Sequence, residues 1–128
     1  MFSKNTADIR VTVVPEYDYK NSFPAENRFV FKYHISIENA SPYRIKILQR
    51  RWLIFDTGFG FSEAAGNGII GLTPELEPNA RFTYFSNVML HSGVGNMQGI
   101  YLVKNTITDE NFEIEIPKFQ LLAEVLCN

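Results

Sequence analysis

The sequence predicts an all-β fold, an antiparallel sandwich or barrel. Three observations carry this reading. Apolar and polar residues alternate strictly over several stretches, turn signals recur about 8–12 residues apart, and no window shows sustained helical spacing. The 128 residues suffice for one domain and are too few for two ordinary ones. A chain of this size buries about two-thirds of its unfolded surface, so it can hold a core without metal or disulfide staples.

The elements follow in order. Residues Met1 to about Ala7 carry no clear pattern and are expected to fray or to be borrowed by a partner. Ile9, Val11 and Val13 start a strand. Over residues 28–38, Phe29, Phe31, Tyr33, Ile35 and Ile37 fall on one side, with Arg28, Lys32, His34, Ser36 and Glu38 on the other. A period of two over that length means an antiparallel strand with one wet face. Asn39-Ala40-Ser41-Pro42 then turns the chain.

In residues 44–56 the apolar phase slips, with Ile45 and Ile47 odd but Leu48, Trp52 and Ile54 even. A slip of one residue flips every later side chain, so a β-bulge or a change of sheet is expected near Leu48. Gly58-Phe59-Gly60, Asn67-Gly68 and Gly93-Val94-Gly95-Asn96 punctuate the middle as turns. Phe82 and Tyr84 begin another strand. Met97, Gly99, Tyr101 and Val103 form the next, and Phe112, Ile114 and Ile116 alternate with Glu113 and Glu115 before Pro117.

Composition excludes several classes. Hydrophobic residues make up 45% and the net charge is −2, with Lys and Arg scattered, so neither disorder nor nucleic-acid binding is expected. No apolar run approaches the roughly 20 residues that span a bilayer, and the first residues lack a signal-like apolar stretch. The single cysteine, Cys127, cannot form an intramolecular disulfide, which agrees with a cytoplasmic location. The 11 Phe and 6 Tyr read mainly as strand residues, with some on the surface as partner contacts.

Gly66-Asn67-Gly68-Ile69-Ile70-Gly71 spells G-x-G-x-x-G, the string of a dinucleotide-binding loop. Such a loop works where the glycines end a strand and open a helix, whose N–H groups meet the pyrophosphate. Here Pro74 and Pro78 follow closely and no βαβ pattern surrounds the string, so a structural turn is the expected reading. Holding a phosphate, or a weakly bound divalent cation, is the alternative role for Gly66, Gly68 and Gly71. His34 and His91 are unclustered, Asp56, Glu63 and Glu75 lack a cation-loop pattern, and Ser86 and Ser92 sit in no nucleophile turn. No catalytic residues, no metal site, no cofactor and no enzyme activity are therefore expected. Arg50 shares a face with Trp52 and Asp56 if the strand stays regular. This predicts an Arg–carboxylate or Arg–Trp contact, or, more sharply, a polar pocket floored by Arg50 and Asp56 under the glycine loop.

Several ordered segments resemble one family. Leu48-Gln49-Arg50-Arg51-Trp52-Leu53-Ile54-Phe55-Asp56 is similar to its L-x-R-x-W-x-I-x-D core, and Gly66 to Pro78 to its G-x-G-V-V-G-x-x-P-x-L-x-P segment. Phe82, Tyr84 and Ser86, Met97-Gln98-Gly99-Ile100-Tyr101, and the strand from Phe29 to Asn39 match its F-x-Y-x-S, M-x-G-x-Y and F-x-Y-x-I-x-I-x-N pieces. The chain is identified on these as a member of the ApaG family, with a core of about residues 8–122. The resemblance implies an immunoglobulin/fibronectin type III-like β-sandwich in a small cytoplasmic protein without established enzymatic activity. It further implies a link to cobalt resistance and magnesium homeostasis, with an indirect part in Co²⁺/Mg²⁺ efflux. The same domain occurs in eukaryotic F-box and DNA-polymerase-interacting proteins, where it looks like a protein-interaction module. Asn79-Ala80, Asn87 and the His91-Ser92-Gly93-Val94 loop depart from the family pattern, although Asn79 can still take a left-handed turn conformation.

The expected function is thus a non-catalytic interaction module. Its partner surface is formed by edge strands and the 58–72 segment, including Phe59, Arg50, Asp56 and the glycines Gly66, Gly68 and Gly71. A protein partner or a homodimer is expected, with no nucleic acid and no membrane insertion.

Overall fold

The computed structural model describes residues 1–124, which form nine strands and one 3₁₀ turn at Pro24–Glu26. The strands are β1 (Phe2–Thr6), β2 (Ile9–Tyr17), β3 (Phe29–Asn39), β4 (Ile45–Asp56), β5 (Gly60–Asn67), β6 (Glu75–Leu76), β7 (Arg81–Leu90), β8 (Val94–Asn105) and β9 (Asn111–Leu122). One sheet runs β1-β2-β3-β7. The other runs β5-β4-β8-β9, with β6 also on β4. Every strand pairing is antiparallel. The all-β sandwich read from alternation is the fold observed.

Alternation places the core. Ile9, Val11 and Val13 of β2 are buried, as are Phe29, Phe31, Tyr33, Ile35 and Ile37 of β3, and they face Ile47, Trp52, Met97, Tyr101, Val103 and Ile114 of the other sheet. Trp52, Tyr33 and Phe119 pack edge-on or tilted, with ring centroids 5.4–6.0 Å apart, within the range where aromatic pairs attract beyond simple burial.

The first residues differ from expectation. Instead of fraying, Phe2–Thr6 pairs with β2, from Phe2 opposite Val13 to Thr6 opposite Ile9. The connection is the two residues Ala7 and Asp8, both at positive φ (52° and 64°), as a tight hairpin turn matched to strand twist requires. Ala-Asp is a weak turn signal beside Asn-Gly, which is why the hairpin is hard to read. β1 then closes one side of the sandwich against β9. Glu115 N–H donates to Thr6 Oγ1 (3.2 Å), Lys4 Nζ lies 3.2 Å from the Glu115 carboxylate, and Phe2 packs on Phe119.

β9 does not stop at Pro117. Opposite β8 its register shifts between Met97 and Gly99, so Pro117 and Lys118 form an irregular step before Phe119 and Leu121 return to the core. A bulge is where a residue without an N–H fits inside a strand. Cys127 lies outside the described residues.

Candidate functional site

The slip read at Leu48 is a bulge. β4 pairs β8 continuously except between Ile47 and Gln49, leaving Leu48 as the extra residue. The bulge divides the other edge of β4 between two strands. β5 takes Gln49 to Asp56, and β6 takes Ile45 and Lys46. The glycine segment is the crossing between them.

Backbone bonds shape the turn itself. Gly68 N–H donates to Leu48 O at the bulge (2.7 Å), and Ile47 N–H donates to Pro74 O (3.0 Å). Ile69 and Leu72 exchange both of theirs, at 2.7 and 2.9 Å. Between them Ile70 and Gly71 sit at φ 51° and 73°, a two-residue hairpin loop of the twisted kind. Gly68 is at φ 59°, and a Cβ there would lie 1.8 Å from Leu72 O, so only glycine fits. No helix follows, and the N–H groups of Gly68, Ile69 and Leu72 are used within the protein, which is the geometry of a structural turn.

Arg50 does share its face with Trp52 and Asp56, on the inward side of β4 after the bulge. Its contacts differ from both expectations. Nη1 donates to Gly68 O (2.9 Å) and Asn67 O (3.2 Å), and the guanidinium lies flat where a Cβ on Gly66 would stand, 2.8 Å away. Gly66 is therefore the platform for Arg50. Asp56 sits six residues farther along the strand, roughly 20 Å at about 3.3 Å per residue. Its carboxylate accepts from His91 N–H (2.7 Å), Ser92 N–H (3.1 Å) and Ser92 Oγ–H (2.5 Å). The structure does not bring Arg50 and Asp56 into one pocket. Arg50 stays with Gly66 and Gly68 at one end of β5, and Asp56 and Phe59 mark the other. Phe59 is 62% exposed at the β4–β5 turn and stacks on the His91 ring at 5.2 Å. That turn closes by Phe59 N–H donating to Asp56 O (2.9 Å), with Gly58 at φ 83°.

Between these ends runs β5, to which the sequence reading assigns no strand, only the turns at either end and a place in the 58–72 partner segment. Among the described residues it is bonded to β4 alone, and residues on both of its faces are exposed, Phe61 at 68%. With β1 over β9 on the closed side, β7 and β5 are, among the described residues, the unpaired edges of the opposite, open side.

Just inside that side is a polar cluster the sequence reading also missed. Tyr84 of β7 and Tyr101 of β8 share a hydrogen bond between their hydroxyls across the sheets, and Tyr33 lies in the same layer as Ser86. Burial pushes all three hydroxyls up from the ordinary value of 10.0. Ser86 and the Arg50 charge partly offset this at Tyr33, Tyr101 and Arg50 partly offset it at Tyr84, and at Tyr101 the Tyr84 hydroxyl adds to the rise. The available signal was inward parity, since Tyr33 and Tyr101 alternate with the core residues of their strands.

The raised values fix a pH dependence. The native state holds these protons at pH values where the unfolded chain has released them, so the stability is whole below about pH 10 and falls as pH rises above it. Thermal melts at stepwise pH should show a flat midpoint to about pH 9.5 and a steep fall beyond. Absorbance at the tyrosinate band should show Tyr33, Tyr84 and Tyr101 ionising at higher pH in the folded chain than in the unfolded one.

Among the described residues no group of three or more His, Cys, Asp or Glu side chains converges as a metal site. Shallow depressions of about 390 and 510 Å³ line the outer face of the β5-β4-β8-β9 sheet around Arg51, Ile100 and Glu113.

The family model of the ApaG domain matches residues 19–105, the stretch that holds β4, β5, the bulge and the glycine turn. The chain belongs to the ApaG family. Protein ApaG of Rhodospirillum centenum is 40% identical over 121 residues, covering 94% of this chain and 92% of that one. Protein ApaG of Brucella suis biovar 1 is 39% identical over 121 residues, with the same two coverages. The crystal structure of the putative ApaA protein from Bordetella pertussis superposes with a TM-score of 0.87 at 30% identity, covering 92% of this chain and 95% of that one. The ApaG resemblance read from Leu48 to Asp56 and Gly66 to Pro78 is therefore correct, and the ApaG glycines have a structural duty here as a bulge-to-hairpin crossing.

Proposed function

We propose that this ApaG domain is a non-catalytic, cytoplasmic protein-interaction module acting in divalent-cation homeostasis and cobalt resistance. The observation that carries the interaction reading is β5, an eight-residue strand with one edge on β4, the other edge unpaired among the described residues and both faces exposed. Such an edge is a template for strand addition, in which backbone bonds give affinity and flanking side chains give selectivity. The exposed aromatics Phe59 and Phe61 supply contact area beside it. No described helix is long and apolar enough to cross a membrane, which supports an indirect part in efflux, through a separate transporter or its regulator.

The test uses the geometry of the ladder. Gly68 N–H points to Leu48, and in an antiparallel pair every second residue repeats that direction. Gly66, Ala64 and Ser62 thus turn their N–H groups to β4, and Ala65, Glu63 and Phe61 turn theirs outward. Proline at an outward position removes a docking donor and leaves the β4 ladder intact. Affinity capture from cell extract, with and without added cobalt, should return partners with the native chain and lose them roughly tenfold with Ala65→Pro, the scale of one good interface contact. Equal capture by both proteins would sink the edge as the contact surface.

A further inference from the structure

We propose that β5 pairs with β5 of a second copy, antiparallel about a two-fold axis, with the two Ala64 residues facing each other. The inference rests on the reading of the open side as an interaction surface and names its occupant.

Natural edge strands are usually blunted by lysine, proline or several charges. Gly60-Phe61-Ser62-Glu63-Ala64-Ala65-Gly66-Asn67 has no lysine, no proline and one charge, Glu63. Ser62, Ala64, Ala65 and Gly66 are small and exposed or half-exposed, so a strand can approach without meeting bulky side chains on either face.

Register decides the occupant. In a two-fold pairing of one strand with itself, side chains stay on matching faces only if each residue meets another of the same parity. A pairing centred on Glu63 puts two carboxylates directly opposite, which is unfavourable. Centring on Ala65 or Ser62 pairs only residues 63–67 or 60–64, and centring on Gly66 only residues 65–67. Centring on Ala64 sets Phe61 against Asn67 and Glu63 against Ala65, with no like charges opposed, and uses the strand from Phe61 to Asn67. The outward N–H groups of Glu63 and Ala65 then fall in the hydrogen-bonded pairs. Ala64 meets its copy at the closer, non-bonded kind of position, about 4.5 Å between Cα atoms. The product is one continuous eight-stranded sheet, β9-β8-β4-β5 joined to its two-fold mate.

That spacing lies within disulfide reach, which gives a direct test. With Cys127 replaced by serine, Ala64→Cys should oxidise to a covalent dimer roughly tenfold faster than Ser62→Cys, whose copies lie four pairing steps apart. Light scattering on the native chain at micromolar concentration should give twice the 14.7 kDa chain mass. Ala65→Pro should give the single-chain mass with an unchanged circular dichroism spectrum. A native chain at the single mass, a dimer that survives Ala65→Pro, or equal cross-linking at positions 62 and 64 would overturn the proposal. A monomeric native chain that still loses its captured partners with Ala65→Pro would refute self-pairing and leave the interaction reading standing. A dimer without edge-dependent capture would do the reverse.

Discussion

Gly68→Ala is expected to destabilise the fold by about 3 kcal/mol and lower the melting midpoint by roughly 10 °C. Two effects add. A side chain at φ 59° costs about 1–2 kcal/mol, and its Cβ would sit 1.8 Å from Leu72 O. The contact cannot be relieved locally, because Leu72 is held by reciprocal bonds to Ile69 and Gly68 is held to Leu48 at the bulge. Relief means opening either the hairpin or the bulge junction, and with the junction goes the Arg50 guanidinium bonded to Gly68 O. Urea and thermal unfolding measure the loss. A decrease under about 1 kcal/mol, the backbone term alone, would show that the hairpin slides freely on β4.

Asp56→Ala is expected to cost about 3 kcal/mol, since it strips one carboxylate of three accepted bonds and leaves the His91 and Ser92 N–H groups without their partner. Asp56 is 9% exposed, so water replaces it poorly. Asp56→Asn keeps one acceptor oxygen and should cost about half as much. Amide exchange at His91 and Ser92 should accelerate in both variants, and more in the alanine one. Exchange that stays at the native rate would mean another group holds the loop.

These two positions show what was legible in the sequence. The bulge at Leu48 was readable because a strand with one wet face carries a period, and any slip in that period is visible. The sandwich was readable from β2, β3, β8 and β9 for the same reason. β5 was not, because a strand wet on both faces has no hydropathy alternation, and Ala-Ala-Gly lacks strand propensity. Asp56 was placed on the right face with the wrong partner. Parity fixes which side of a sheet a side chain takes, but the His91-Ser92 loop that it anchors is 35 residues away in the chain, and no local pattern encodes that approach. The glycine string was readable as a turn because helix formation next to Pro74 is poor, whereas its junction with the bulge depends on the β4–β6 pairing. The alternation of β9 was readable as far as Ile116, before Pro117. β9 continues only because its register against β8 shifts there.

The contact of β1 with β9 has a consequence in time. Thr6 and Glu115 meet across 109 residues of chain, so the closed side of the sandwich cannot form until β9 has been made. Folding dominated by such distant pairings runs in milliseconds to seconds rather than microseconds. During synthesis the β1–β2 hairpin emerges before β9 and must wait, with one flank uncovered, for β9 to leave the ribosome. That waiting period, rather than the finished fold, is when this chain is most exposed to aggregation.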